Sequence, residues 1–167
     1  NVIGGGDFAK DRVIPDFFRS LKEKKTMYLR YPNAIRPWQH VIEPLYGYIL
    51  LLMKIDNKNK NLVNGGWNFG PKKSNNVNVY KVVSILNRNF ENKVKIKVRS
   101  KKKNFYKESD VLKLSSFKSR KRLGWIPKYS IFKSLRLISE WEIFYIKNKK
   151  DLLDFTKRQI TNYLNQF

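Results

Sequence analysis

Apolar residues recur at helical spacing in several parts of the chain. Val13, Ile14, Phe17, Phe18 and Leu21 form one face, with Pro15 tolerated in the first turn. Glu43-Pro44 opens a second helix through Leu45, Tyr48, Ile49, Leu52 and Met53, which is expected to be buried. A third face joins Val79, Val82, Val83, Leu86 and Phe90. Ser116 to Arg122 forms a short helix that Gly124 stops in the left-handed capping position. Pro127 follows, and Ser130 caps a long helix presenting Ile131, Leu135, Ile138, Trp141 and Tyr145. A last helix starts at Asp151 and runs through Leu152, Phe155, Ile160 and Leu164.

Between these lie short extended segments. Val2-Ile3 reads as a strand end before three glycines, and Thr26 to Arg30 as a short strand. Ile35 to Ile42 is extended, because Pro37 forbids a helix there. Trp67-Asn68-Phe69 is expected as a strand between Gly66 and Gly70-Pro71. Lys93 to Arg99 alternates strictly, with Val94, Ile96 and Val98 expected inward and basic residues outward. Outward lysines on such a ribbon suit an edge strand guarded against aggregation better than a phosphate-binding ribbon. Asp56 to Asn64 is polar and reads as a loop. The order of strands and helices gives an α/β or α+β domain with no internal repeat.

Composition narrows the classes. The chain has 167 residues, enough for one domain with a sizeable core. It lacks cysteine and has one histidine, which excludes disulfides, thiolate metal sites and His-rich metal sites. The longest apolar run, Leu45 to Met53, is too short to span a bilayer, and no signal peptide is apparent. A reduced, cytoplasmic protein is the expectation. The chain opens on Asn-Val-Ile rather than Met and is read as a piece of a longer one.

The net charge of +23 raises the question of nucleic acid. Lysine supplies 26 of the 36 basic residues and is joined by 17 asparagines, which add nothing to phosphate affinity. The basic residues are spread along the whole chain. Biased composition therefore accounts for the charge better than a dedicated phosphate surface does.

Four segments carry the candidate chemistry. Asn1 to Asp16 (NVIGGGDFAKDRVIPD) ends a strand with an asparagine, then turns through glycines into a helix. That is where α/β proteins place ligands, although a plain tight turn gives the same pattern. Asn33 to Tyr48 (NAIRPWQHVIEPLYGY) sets Arg36 beside Pro37-Trp38. A guanidinium there suits a diphosphate or a carboxylate, and a surface ion pair is an equal alternative on spacing alone. His40 has no nearby Asp or Ser partner, so it is a poor acid/base candidate. Trp67 to Pro71 (WNFGP) and Leu112 to Ile131 (LKLSSFKSRKRLGWIPKYSI) complete the set. Neither GxGxxG nor GxxxxGK[ST] occurs.

In order and spacing these segments resemble the carboxyl-terminal half of the extended short-chain dehydrogenase/reductases that act on nucleotide sugars. Within them the likeness is to the CDP-glucose 4,6-dehydratase family. Its pattern N-V-x-G-G-G-D-[aromatic]-A-x-D-R-[aliphatic]-x-P-D stands at Asn1 to Asp16, and N-A-x-R-P-W-Q-H-V-x-E-P-L-x-G-Y stands intact from Asn33. WNFGP, the LGW-x-P turn and T-x-x-Q-I at Thr156 to Ile160 also match. The resemblance implies an α/β fold, the substrate-binding portion of a Rossmann-type enzyme with a small mixed sheet and several helices. Asn1 to Asp7 and Trp67 to Pro71 would form edges of a larger sheet, and apolar surface would be left exposed.

The resemblance also implies roles. Asn1 and Arg36 would contact the diphosphate of a nucleotide sugar. Arg12, at a helix start over the nucleotide, and Glu108, in a wall segment, would be further substrate-binding residues. Lys101 to Lys103 would bring charge near them. Lys107, Ser109, Ser115 and Phe117 depart from the family pattern of that wall. NAD would be bound mainly by an amino-terminal Rossmann half, which also carries the Tyr-x-x-x-Lys pair and the dehydration acid and base. No catalytic residue, metal ligand or cofactor is then expected on this chain, and any homodimer would form through that half. The whole enzyme would be a lyase, CDP-glucose to CDP-4-keto-6-deoxyglucose, with this chain its substrate-gripping part. An inactive remnant of the family and a basic nucleic-acid-binding domain are the two alternatives.

Overall fold

Two helices pack face to face at the centre of the fold, α3 (Val79–Arg88) and α5 (Ile131–Lys147). The computed structural model describes residues 1–55, 63–99 and 109–167. Val82, Val83 and Leu86 meet Leu135 and Ile138 there, all fully enclosed. Both helices start on side-chain caps. Asn78 Oδ1 accepts from the Lys81 N–H at 2.8 Å, and Ser130 Oγ from the Lys133 N–H at 3.2 Å. Each cap contributes about 1 kcal/mol.

Helix α1 (Val13–Lys22) covers α3 from the other side. Phe17, Phe18 and Phe90 join them through edge-on and tilted ring contacts, with centroids 5.4 to 6.0 Å apart. Buried Asn87 exchanges two 3.0 Å hydrogen bonds with the Val94 backbone, which fixes the chain leaving α3.

The strands form three pairs. β1 (Val2–Ile3) runs parallel to β4 (Gln39–His40), with Val2 opposite Gln39. β2 (Met27–Leu29) runs parallel to β6 (Ile96–Val98). β3 (Ile35–Pro37) is antiparallel to β5 (Asn76–Asn78), with Arg36 opposite Val77. Helices α2 (Ile42–Ile55), α4 (Phe117–Leu123) and α6 (Leu152–Leu164) complete the described elements. Gly124 ends α4 at φ +67°, the left-handed conformation expected of it. No helix among the described residues is long and apolar enough to cross a membrane.

Several expectations need correction. Trp67 to Phe69 is not a strand and forms no sheet edge. Its carbonyls are satisfied by side chains instead. Gln39 Nε2 donates to Phe69 O at 2.6 Å, and Ser119 Oγ donates to Asn68 O. Helix α2 is not buried. Only Glu43, Pro44 and Gly47 are enclosed, because the contact side is narrow enough that a Cβ on Gly47 would overlap the Phe69 ring. Leu45, Ile49 and Leu52 are half exposed or more, so apolar surface is indeed left uncovered. On β6 the inward face is covered at Val94 and partly at Ile96, but Val98 is 57% exposed. On α6 the buried residue is Tyr163, while Ile160 and Leu164 are largely exposed. The loop expected at Asp56 to Asn64 lies mostly outside the described residues.

The LGW-x-P segment is held from two sides. Glu43, fully buried, accepts from the backbone N–H groups of Lys128 and Tyr129 at 2.5 and 2.8 Å through Oε1. Its carbonyl accepts from the Trp125 indole at 3.0 Å. Asn75, also fully buried, donates to Tyr129 O and accepts from the Ile131 N–H. Replacing Glu43 with Ala strands two buried amide donors and should cost about 2–5 kcal/mol in urea unfolding. Glu43→Gln keeps the acceptor oxygen and should cost clearly less. Equal losses for the two variants would show that the amides do not depend on this side chain.

Candidate functional site

A cleft of about 490 Å³ opens where β1, the start of α1 and β2 meet β3. Asn1, Arg12 and Arg36, remote from one another in sequence, all line it.

Each is placed by a different device. The Asn1 backbone is clamped by the end of β3 and the start of β4: its nitrogen donates to Pro37 O at 2.5 Å and its carbonyl accepts from the Gln39 N–H at 3.0 Å. Arg36 sits in β3, tied to β5 by the strand ladder and flanked by the Ile35 bonds to Asp110 and Leu112. Its guanidinium is 9% exposed as a residue and donates to Ile35 O at 2.9 Å. A guanidinium held this way is prepaid in side-chain entropy. Arg12 caps α1 in extended conformation, and its side chain is mostly solvent-exposed. The first turn of α1 also faces the cleft, so the positive end of the helix adds to the field there.

Three carboxylates share the lining, and each meets an arginine. Asp7 pairs with Arg12 at 3.0 Å, Asp11 with Arg30 at 3.6 Å, and Asp16 with Arg19 in close contact. The Arg12–Asp7 pair is exposed enough to be worth under about 1 kcal/mol, so Arg12 is available to exchange partners. Glu108, Lys101 to Lys103 and Lys107 lie outside the described residues.

Sequence reasoning missed two lining residues, Tyr28 and Arg30. The signal was the alternation of β2. Met27 and Leu29 are buried, which turns Tyr28 and Arg30 outward into the cleft. Trp38 lies beneath them, 2% exposed, with its indole donating to Val77 O at 2.9 Å.

The glycine turn does not offer its space to a ligand. A Cβ on Gly5 would overlap the Trp141 indole, and one on Gly4 would lie 2.7 Å from Val41 Cγ1. Spacing of the Tyr-x-x-x-Lys kind does occur, at Tyr129/Lys133 and Tyr145/Lys149. Neither pair lines the cleft, and each lysine lies over the face of its tyrosine ring, 5.9 and 5.0 Å from the centroid. Among the described residues no group of three His, Cys, Asp or Glu gathers as metal ligands would.

His40 is a core residue. It is buried, its Nδ1 accepts from the Ile42 N–H at 3.3 Å, and its ring stands edge-on to Tyr129. Burial pushes its pKa down to about 4.

No family model matches the chain. Among solved structures it superposes on a UDP-glucuronic acid 4-epimerase from Bacillus cereus in complex with NAD, at TM-score 0.70 and 15% identity, over 91% of this chain and 44% of that one. It superposes on the epimerase Mth375 from Methanothermobacter thermautotrophicus at TM-score 0.71 and 20% identity, over 92% and 43%. A UDP-glucose 4-epimerase from Thermotoga maritima gives TM-score 0.68 and 17% identity, over 87% and 44%. The fold is therefore that of the carboxyl-terminal part of the extended, Rossmann-type short-chain dehydrogenase/reductases. In sequence the chain is similar to part of CDP-glucose 4,6-dehydratase. It is 36% identical over 165 residues to the enzyme of Salmonella typhimurium, covering 99% of this chain and 45% of that protein. The chain thus spans about half the length of the relatives it matches.

The buried imidazole makes stability depend on pH. Its folded pKa lies below the unfolded value of 6.5, so the unfolded chain holds the extra proton. The contribution is full above pH 6.5 and is lost as pH falls towards 4, by about 3 kcal/mol. Burial raises the pKa of Glu43 and Glu142, so their protonation stabilises the fold as pH falls. Comparing urea unfolding of the parent and His40→Asn at pH 7 and 4.5 separates the two effects. The parent should lose more stability than the variant over that interval. Parallel losses would mean His40 stays neutral in neither state preferentially.

Proposed function

We propose that this chain is the nucleotide-sugar-gripping part of a cytoplasmic CDP-glucose 4,6-dehydratase, a lyase completed by an NAD-binding half. The observation that carries the reading is the convergence of Asn1, Arg12 and Arg36 on one cleft at the start of α1. Three residues whose roles were implied by motif alone meet where an anion is favoured. The comparisons favour neither the inactive remnant nor the nucleic-acid binder.

In this reading the diphosphate lies against the Arg36 guanidinium and the first turn of α1. Arg12 leaves Asp7 to close over the phosphates, and the Asn1 side chain donates to the same group. Tyr28 offers an exposed ring at the cleft rim, 54% accessible, for the nucleoside end. The chain's task is positioning: it holds the sugar by its diphosphate while the reacting carbons face the other half.

In this reading NAD is bound mainly by the other half. The chain has no dinucleotide loop, and Trp141 fills the space beside the glycine turn. Helix α2 supports the division of labour. Its row of Leu45, Ile49 and Leu52 is the kind of surface a second half would cover. Leu52→Lys should then reduce self-association of the isolated chain in sedimentation without lowering its unfolding midpoint. No change in self-association would leave α2 outside the interface.

The substrate reading is tested by titrating CDP-glucose into the complete protein and its Arg36→Ala variant. Loss of a bidentate charged contact of about 1.5–3 kcal/mol weakens affinity roughly 10- to 150-fold. Arg12→Ala should weaken it less, since that side chain starts exposed and ion-paired. Unchanged affinity without Arg36, or no binding by the parent, would defeat the proposal.

A further inference from the structure

The turn that carries the cleft's first wall rests on one face of α5. Gly5 lies so close to Trp141 that any side chain there would overlap the indole, and the outer ring atoms of Trp141 also reach Gly6. The Gly6 backbone lies beside the buried carboxyl of Glu142. Phe8 packs on Tyr145, with centroids 5.4 Å apart, and Tyr145 stacks on Trp141 at 5.5 Å. Residues 141, 142 and 145 are neighbours on one helical face. They therefore hold the segment from Gly5 to Phe8 chiefly by two stacked rings, one under the glycines and one under Phe8.

The indole is itself locked from behind. Trp141 Nε1 donates to Thr156 Oγ1 at 3.0 Å, and that hydroxyl donates to Leu152 O at 2.8 Å within α6. Gln159 Nε2 bonds Leu137 O at 3.0 Å and ties the same turn of α6 to α5. The T-x-x-Q-I pattern, which lines no part of the cleft, thus reaches the glycine turn through one tryptophan.

What the turn holds is the cleft wall. Asp7 sits between Gly6 and Phe8, lines the cleft and anchors Arg12 at 3.0 Å. From the α1 side Arg19 Nη2 donates to Phe8 O and Ala9 O at 3.2 and 3.4 Å. A turn gripped on both flanks keeps Asp7, the resting partner of Arg12, and the cleft wall it belongs to at a fixed distance from Arg36.

We propose that Trp141, locked by Thr156, is a positioning residue for substrate binding. It acts through the Gly4–Gly6 turn and touches no substrate itself. The proposal rests on the nucleotide-sugar reading of the cleft. It also accounts for Gly5, which is there to admit the indole rather than the ligand.

The test uses the complete protein with Thr156→Val, Trp141→Phe and Trp141→Ala. Thr156→Val is nearly isosteric and removes the indole's acceptor together with the hydroxyl's own bond to Leu152 O inside α6. Affinity for CDP-glucose should fall about tenfold in Thr156→Val and further in Trp141→Ala, with Trp141→Phe between them. KM should rise more than kcat falls, because the reacting groups are untouched. Amide exchange of Gly6 and Asp7 should quicken in all three variants while α3 amides keep their protection. Parent affinity and parent exchange in Thr156→Val and Trp141→Phe would overturn the proposal, as would an affinity loss matched by uniform loosening of α3. If the parent binds no CDP-glucose, the substrate reading falls with the affinity claim, and exchange at Gly6 alone decides whether α5 holds the turn.

Discussion

The buried carboxylate of Glu43 joins parts of the chain that have no other reason to meet. It stands at the start of α2 and takes both backbone amides of Lys128 and Tyr129, more than eighty residues away. Its own carbonyl takes the Trp125 indole. Those three bonds seat the LGW-x-P turn, and the turn delivers Ser130 and the start of α5. Asn75 completes the seat from the opposite side, next to β5. A buried acid is costly, and here Oε1 takes both amides while Oε2 has no hydrogen-bond partner, so removing the donors would leave the carboxyl wholly unsatisfied. Burial raises the pKa of Glu43, which the two amide donors oppose.

From that seat the structure follows outward in both directions. Helix α5 forms the core with α3, and α3 carries β5 at its amino end. β5 pairs with β3 and so fixes Arg36, while Gln39 and His40 in β4 hold β1 and Asn1. The other end of α5 supports the glycine turn through Trp141 and Glu142. One helix therefore sets both the depth of the cleft and the position of its rim. The rim itself is electrostatically quiet, since Asp7, Asp11 and Asp16 are each matched by an arginine. In the proposed reading, selectivity for a diphosphate comes from geometry and helix field more than from the chain's large overall charge.

Legibility followed the range of the interactions. Helices α1, α3, α4 and α5 stood out because their apolar spacing, caps and the Gly124 stop are local signals. Arg36, Asn1 and Arg12 were legible through motif, and the cleft brings them together. Tyr28 and Arg30 were hidden because β2 is only three residues long, too short for its alternation to mark a face as functional. The strand expected at Trp67 to Phe69 had the right residues and the wrong partners. Side chains of Gln39 and Ser119 reach its carbonyls before any strand does. The purpose of Gly5 could not be read at all, since it depends on a tryptophan some 136 residues away.

The sequence by itself determined which segments are helical, where they start and stop, and which family of patterns the chain resembles. These are consequences of side-chain spacing and backbone preference within a few residues. Only the tertiary structure decided what each apolar face meets. Helix α2 is apolar enough to be buried and yet exposes Leu45, Ile49 and Leu52, because the fold presents only a narrow seat at Gly47 and Phe69. His40, a poor acid/base candidate by sequence, is a neutral core group because β4 is enclosed. Burial and partnership are properties of the assembled layers, and no local pattern encodes them.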